Sequence, residues 1–211
     1  MAETKLRSRN RTYGGMSTPE RAAARKQQFL AAGKTVFGKL GFQAASVKDV
    51  CAAAGLTERY YYEAFGSLRK LFEAVYLQAL DRLRQVLEEA ASRSSKDPYA
   101  RLQSMIRSYF ELIKSDRYLA RILIIEIYGA APAISNLYER GVRQFAAQIE
   151  ELVVIPDAEA GDQTDPRLIA VALVGATSSL AMHWYLTGYK QPMSAMITNC
   201  FAIFAAALGK T

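Results

Sequence analysis

The chain carries one histidine, His183, and two cysteines, Cys51 and Cys200, and these narrow the chemistry open to it. A serine nucleophile activated by an imidazole would have to use His183. A metal site built on several histidines is impossible. The cysteines lie far apart in unrelated contexts, so they give neither a disulfide framework nor the paired spacing of a zinc site. This usage fits a reducing cytoplasm. The expectation is a protein that is not an enzyme and holds no metal or cofactor.

Charge points elsewhere. Residues 1–72 hold thirteen Lys and Arg against five Asp and Glu, a net +8, whereas residues 73–211 carry a net −1. A basic head on a near-neutral body suggests a polyanion-binding segment attached to a part with another task. Nucleic acid is the first candidate partner and an anionic membrane surface the second.

The elements that would position such a head are helical. At 51% hydrophobic and 22% charged, the 211 residues have a globular composition, which excludes wholesale disorder. Met1–Ala24 is polar and basic, with no apolar core of a signal peptide. Residues 1–17 read as a flexible basic arm in which Lys5, Arg7, Arg9 and Arg11 alternate with small polar residues. It is either a solvated tail or an arm lying along DNA. Thr18-Pro19 reads as a cap and first turn, and Phe29, Gly33, Val36, Phe37 and Leu40 share one face of a helix over about 19–40. Ser46-x-x-Asp49 opens a short helix that Gly55 ends, and Thr57 caps another running to about Ala64. Short helix, glycine turn, short helix is the helix-turn-helix pattern.

Behind it, Ser67 opens a long helix whose apolar face runs from Leu68 to Ala90. Asp97-Pro98 starts the next, with Leu102, Met105, Ile106, Tyr109 and Ile113 on one side. Asp116 caps a helix from Arg117 to Tyr128; its centre, Ile122 to Ile125, is apolar all round and is expected to be buried. A helix to about Val154 follows, then an acidic exposed loop over Pro156–Pro166. The last two helices, about 166–187 and 192–208, are nearly uncharged and meet the length criterion for membrane spans. Their small and polar residues, among them Thr177, Ser178, Ser179, Thr198 and Asn199, favour a packed oligomer interface over a membrane hairpin. The expected fold is all-α with about nine helices: an arm (1–17), a helix-turn-helix domain (18–66) and a larger helical domain for ligand binding and dimerisation (67–211).

Gly41–Tyr76 resembles the DNA-binding segment of the TetR family of bacterial transcription regulators. The likeness rests on Gly41-Phe42, Ser46-Val47, Ala54-Gly55-Leu56-Thr57, Tyr62, Phe65 and Leu71-Phe72, in order and near the N-terminus. It implies a homodimer that reads a palindromic operator in successive major grooves and is released by a small molecule. Repression is the expected mode; activation, or regulation without a ligand, is the alternative. On this reading Thr57 caps the recognition helix, whose N-terminus can approach a phosphate, and Glu58, Arg59 and Tyr60 face the bases. Arg59 either bonds guanine bidentately or serves a phosphate or salt bridge. Tyr62 matches the family's phosphate-contacting tyrosine. Lys48 reaches a phosphate or groove edge, and Lys70 stands in the basic pair after Leu68. Glu63 accepts from cytosine or pairs with an arginine. Tyr61 and Cys51 are expected in the core.

For the body, aromatic residues between Tyr99 and Phe145 suggest an apolar cavity suited to an acyl chain or a planar aromatic. The candidate ligand contacts are Tyr109, Ile122, Glu126, His183 and Trp184. Glu126, the one charge in an apolar run, is either a ligand anchor or the partner of Arg121 or Arg107. His183 is either a core or interface histidine or a ligand contact.

Overall fold

The computed structural model describes residues 17–129, 135–150 and 165–207. The basic arm, the end of the helix expected to reach Val154 and nearly all of the acidic loop lie outside them. Among the described residues all regular structure is helical: α1 (Thr18–Leu40), α2 (Val47–Ala54), α3 (Glu58–Ala64), α4 (Leu68–Arg93), α5 (Pro98–Ser115), α6 (117–129), α7 (Ser135–Glu150), α8 (Pro166–Leu186) and α9 (Met193–Ala207). This is the expected all-α architecture, a three-helix head on a helical body.

The first boundary differs by one residue from expectation. Ser17, not Thr18, caps α1: its Oγ accepts from the Glu20 N–H, and the Glu20 carboxylate accepts from the Ser17 N–H at 2.5 Å. The reciprocal box needs an acid three residues on, which Ser17 has. These donors hold the Glu20 carboxyl below its ordinary range. Ser46 and Asp49 form the same box on α2, at 2.9 and 3.2 Å. Gly55 then turns the chain with a φ of +64°, a left-handed conformation that costs glycine little. Thr57 occupies the cap position of α3, but its side chain takes no capping hydrogen bond, contrary to expectation. Three residues on stands Tyr60, which cannot reciprocate as Asp49 does.

The head packs around aromatic side chains. Phe29 of α1 meets Tyr61 edge-on at 5.4 Å, and Phe37 and Phe42 meet Phe72 of α4 at 5.2 and 4.8 Å. Tyr61 is wholly buried and Cys51 nearly so, as expected of core residues. Burial of each such side chain contributes about 1.5–3 kcal/mol. Because α4 supplies Leu71 and Phe72 to this cluster and then runs on through the body, one helix belongs to both cores.

In the body α4 and α5 lie side by side, and α9 packs on α5 and α8. Trp184 is fully buried against Phe110, its indole N–H donating to the Gln191 carbonyl at 2.9 Å. α8 is long and apolar enough to cross a membrane by length and composition, yet it packs on α5, α7 and α9. Its outer side remains exposed at Leu168, Val171 and Leu186, and Ile203 of α9 is exposed as well. The helix 117–129 holds a feature that periodicity did not disclose. Its middle, Ile122–Glu126, is a π turn between the α-helical segments Arg117–Arg121 and Ile127–Gly129.

Candidate nucleic-acid interface and effector cavity

The outer faces of α2 and α3 present the polar residues singled out in the sequence. Lys48, Thr57, Glu58, Arg59 and Tyr62 are all exposed, and Lys70 is exposed in the first turn of α4. Tyr62 is 53% exposed while its neighbour Tyr61 is wholly enclosed, so two adjacent tyrosines, in edge contact at 5.5 Å, divide between surface and core. The Arg59 side chain is 83% exposed and pairs with Glu63, Nε to Oε1 at 3.0 Å. Between the alternatives for Glu63, the free chain takes the arginine pair. An exposed pair of this kind is worth about 0–1 kcal/mol, so Arg59 can exchange it for a base edge at little cost.

Two cations were missed. The Arg25 guanidinium lies 4.3 Å from the centre of the Tyr60 ring, and Lys26 Nζ lies 5.8 Å from that of Phe65. Both come from α1, which flanks the recognition helix. The signal was the clustering of charge in residues 1–72; what the sequence could not supply was the crossing of α1 over α3. Stacking on Arg25 fixes the Tyr60 ring, leaving 37% of that residue exposed on the α3 surface.

The body holds a cavity of about 860 Å³, counting its open mouth, among α4, α5, α6, α7 and α8. Leu83, Leu87, Ile106, Leu123, Ile124 and Phe145 are among its walls, and none of its described lining residues is charged. Its polarity comes from neutral groups. Tyr109 is hydrogen-bonded to Ser178, and burial pushes its phenol above the ordinary range. Tyr128 is bonded to Tyr138, their rings 5.4 Å apart, and burial together with that bond pushes Tyr128 up to about 12. Tyr76 is pushed up by burial as well. The Gln148 side-chain oxygen is buried beside the cavity without a hydrogen-bond partner. The site therefore offers an apolar interior with a few neutral hydrogen-bonding groups, the character of a small-molecule site.

Of the five residues expected to touch a ligand, Tyr109 lines this cavity. The other four do not: of the alternatives for Glu126 the pairing with Arg121 holds, and the expected place of Ile122, His183 and Trp184 at a ligand is corrected. Ile122 is fully buried core; the π turn brings Leu123 and Ile124 to the cavity instead. Glu126 turns to the head, where its carboxylate accepts from Arg121 Nε at 2.7 Å and from the Phe42 N–H at 2.7 Å. His183 is exposed in a groove between α8 and α9. Trp184 packs under the α8–α9 turn on Tyr189, 4.9 Å between ring centres. Of the aromatics expected to line a cavity, Tyr128, Tyr138 and Phe145 do so; missed were Tyr76 and Gln148, from two helices that only the tertiary fold brings together. Among the described residues no group of His, Cys, Asp or Glu is placed to hold a metal ion.

A three-helix head with a polar recognition surface, joined to a helical body around an apolar cavity, defines a helix-turn-helix transcription regulator. Residues 29–75 match the model of the bacterial regulatory proteins of the tetR family. The chain is 25% identical over 161 residues to the HTH-type transcriptional activator FasR of Mycolicibacterium smegmatis, covering 76% of this chain and 72% of that protein. It is 30% identical over 101 residues to the HTH-type transcriptional repressor KstR2 of the same organism, covering 46% of this chain and 47% of that one. Its fold matches that of the transcriptional regulator FadR from Bacillus subtilis in complex with stearoyl-CoA. The TM-score is 0.74 at 15% identity, covering 86% and 98% of the two chains. Residues 29–75 are thus a tetR-family DNA-binding segment, and the chain as a whole has the fold of a regulator that pairs such a head with a helical body.

Proposed function

We infer that the chain acts in the cytoplasm as a homodimeric repressor, binding a palindromic operator and releasing it when a small hydrophobic effector fills the body. The division falls near residue 66, between a head that reads DNA and a body that binds the effector and pairs with a second copy. The observation that carries this reading is the separation of chemistries. Cations and polar groups crowd the outside of α1–α3, while the body encloses an uncharged apolar cavity. Arg59, Glu58, Tyr60 and Thr57 face the bases; Lys48, Tyr62, Lys70 and Arg25 serve the phosphates. The second copy covers the apolar outer side of α8 and α9, where Val171, Leu186 and Ile203 are exposed. The effector is a long acyl chain, by analogy with the stearoyl-CoA-bound relative of the same fold. The chain occupies the cavity, and a charged headgroup stays at the open mouth because no lining cation among the described residues receives it. FasR, an activator by its name, favours the second reading, in which the effector promotes DNA binding.

The test is selection of operator sequences from random duplex DNA, followed by fluorescence anisotropy with selected and scrambled duplexes, with and without stearoyl-CoA. Selected DNA should bind far more tightly. Affinity should fall by about 10³-fold between 50 and 200 mM salt if some six phosphate contacts form. Stearoyl-CoA should weaken binding under repression and strengthen it under activation. Equal, weak binding to both DNAs would overturn the reading.

A further inference from the structure

The head and body meet at one compact polar joint. Glu126, the one buried charged residue among those described, is 7% exposed. Its Oε1 accepts from Arg121 Nε and its Oε2 from the backbone N–H of Phe42, each at 2.7 Å. Arg121 in turn donates from Nη1 to the Lys39 carbonyl at 3.0 Å and from Nη2 to that of Leu40 at 3.4 Å. Two side chains of α6 thus clasp the end of α1 and the first residue of the link to α2. Between the clasped groups Gly41 has a φ of +88°, and a Cβ there would lie 2.7 Å from Arg121 Nη2 and 3.0 Å from Glu126 Oε1. No other residue leaves room for this joint. Phe42 itself is wedged against Phe37 and Phe72. Lys34 pairs with Asp116, and Tyr118 lies against Gly38, so α1 is fastened along the same side.

The clasp depends on the π turn. In a regular α-helix, residues five apart point roughly 140° away from each other. Arg121 and Glu126 are five apart and share a face because the turn between them closes i→i+5 hydrogen bonds. The same turn presents Leu123 and Ile124 to the cavity. One irregular turn therefore touches the cavity with one side and holds the head with the other. Pressure on Leu123 or Ile124 that returns the turn to α-helical register swings Glu126 away from Arg121. It thereby releases the Phe42 N–H and the last carbonyls of α1.

We propose that Arg121 and Glu126 are positioning residues that transmit occupancy of the cavity to the recognition helix through Gly41 and Phe42. The identity of the effector rests on the function proposed above; the transmission does not, because the cavity can also be filled from within by Val142→Trp on its α7 wall. The experiment compares the wild type, Glu126→Gln and the swap Arg121→Glu/Glu126→Arg, each with and without Val142→Trp. Anisotropy measures affinity for selected DNA and calorimetry the binding of stearoyl-CoA. In the wild type, filling the cavity by either means should change DNA affinity roughly tenfold or more. In Glu126→Gln the change should shrink below threefold, with stearoyl-CoA bound as tightly as by the wild type. The swap restores an ion pair, but an arginine at 126 cannot accept from the Phe42 N–H and a carboxylate at 121 cannot donate to the Lys39 and Leu40 carbonyls, so transmission should stay lost. A wild-type response in Glu126→Gln or in the swap would make the clasp merely structural and overturn the proposal. So would a filled cavity that leaves wild-type DNA affinity unchanged. If stearoyl-CoA fails to bind the wild type while Val142→Trp still shifts DNA affinity, the effector assignment falls and the transmission stands.

Discussion

In the three-helix head the interior is closed, and Phe29 meets Tyr61 and Phe65 edge-on at 5.4 and 6.3 Å. In the body α4, α5, α6, α7 and α8, with Phe204 of α9, stand around an open-mouthed apolar cavity. The head uses its core only to hold still, and its function lies on an exposed polar surface. The body has its distinctive features in two places, an interior apolar cavity and the exposed apolar outer side of α8 and α9. Substitutions should divide accordingly: surface changes in the head should alter DNA recognition without altering stability, and interior changes in the body should alter effector recognition.

The largest effect should come from filling the cavity. Val174→Trp should weaken stearoyl-CoA binding by 100-fold or more, about 3 kcal/mol, measured by calorimetry. Unchanged affinity would remove the cavity from consideration. On the head, Arg59→Ala should cost about 1–3 kcal/mol and relax preference at one operator position. Lys48→Ala should weaken all sequences alike and lower the salt slope by about 1. Anisotropy against a set of single-base operator variants separates the two. A loss of base preference in Lys48→Ala would reverse their roles.

Alkaline pH should strike the body harder than the head's surface. Tyr76 and Tyr109 are held above their ordinary range by burial, and Tyr128 is held at about 12 by burial and its bond to Tyr138. In the unfolded chain these phenols ionise near 10. A raised folded-state value means that the contribution is complete below the unfolded value and is lost as pH rises toward the folded one. The tyrosine contribution to the melting temperature should therefore be lost between about pH 10 and 12. Tyr128→Phe should blunt that loss, as circular dichroism melts would show. The smallest effect concerns the head's closed interior. The Tyr61 hydroxyl is buried without a hydrogen-bond partner. Tyr61→Phe should stabilise the protein by about 1 kcal/mol, raising the melting temperature by about 2–4 °C. A drop would show that the hydroxyl has a role.

The two regions also differed in how much their sequence disclosed. The boundaries of α2 and α3 were legible because their signals are local: Ser46 with Asp49, then Gly55. The exposed recognition residues followed from these boundaries. The pairing of Arg25 with Tyr60 did not, since it depends on one helix crossing another. In the body the helices were legible and the lining was not. An apolar run with one charge, Ile122 to Glu126, does not say which residue faces inward; the π turn sets that phase and sends Leu123 and Ile124 to the cavity. His183 and Trp184 were chosen for their types. Their neighbours in the fold decide otherwise, turning one outward and burying the other on Phe110 and Tyr189.

The clasp at the end of α1 also has a mechanical meaning. Arg25, which steadies Tyr60 on the recognition helix, lies sixteen residues before Gly41, about 24 Å along the helix axis. α1 is thus a lever pivoted at its carboxyl end and loaded near its amino end. A tilt of about 5° at the pivot carries Tyr60 sideways by roughly 2 Å. That is more than the tolerance of a hydrogen bond to a base edge. A displacement too small to disturb the packing of the body is enough to take the recognition surface out of register with the groove.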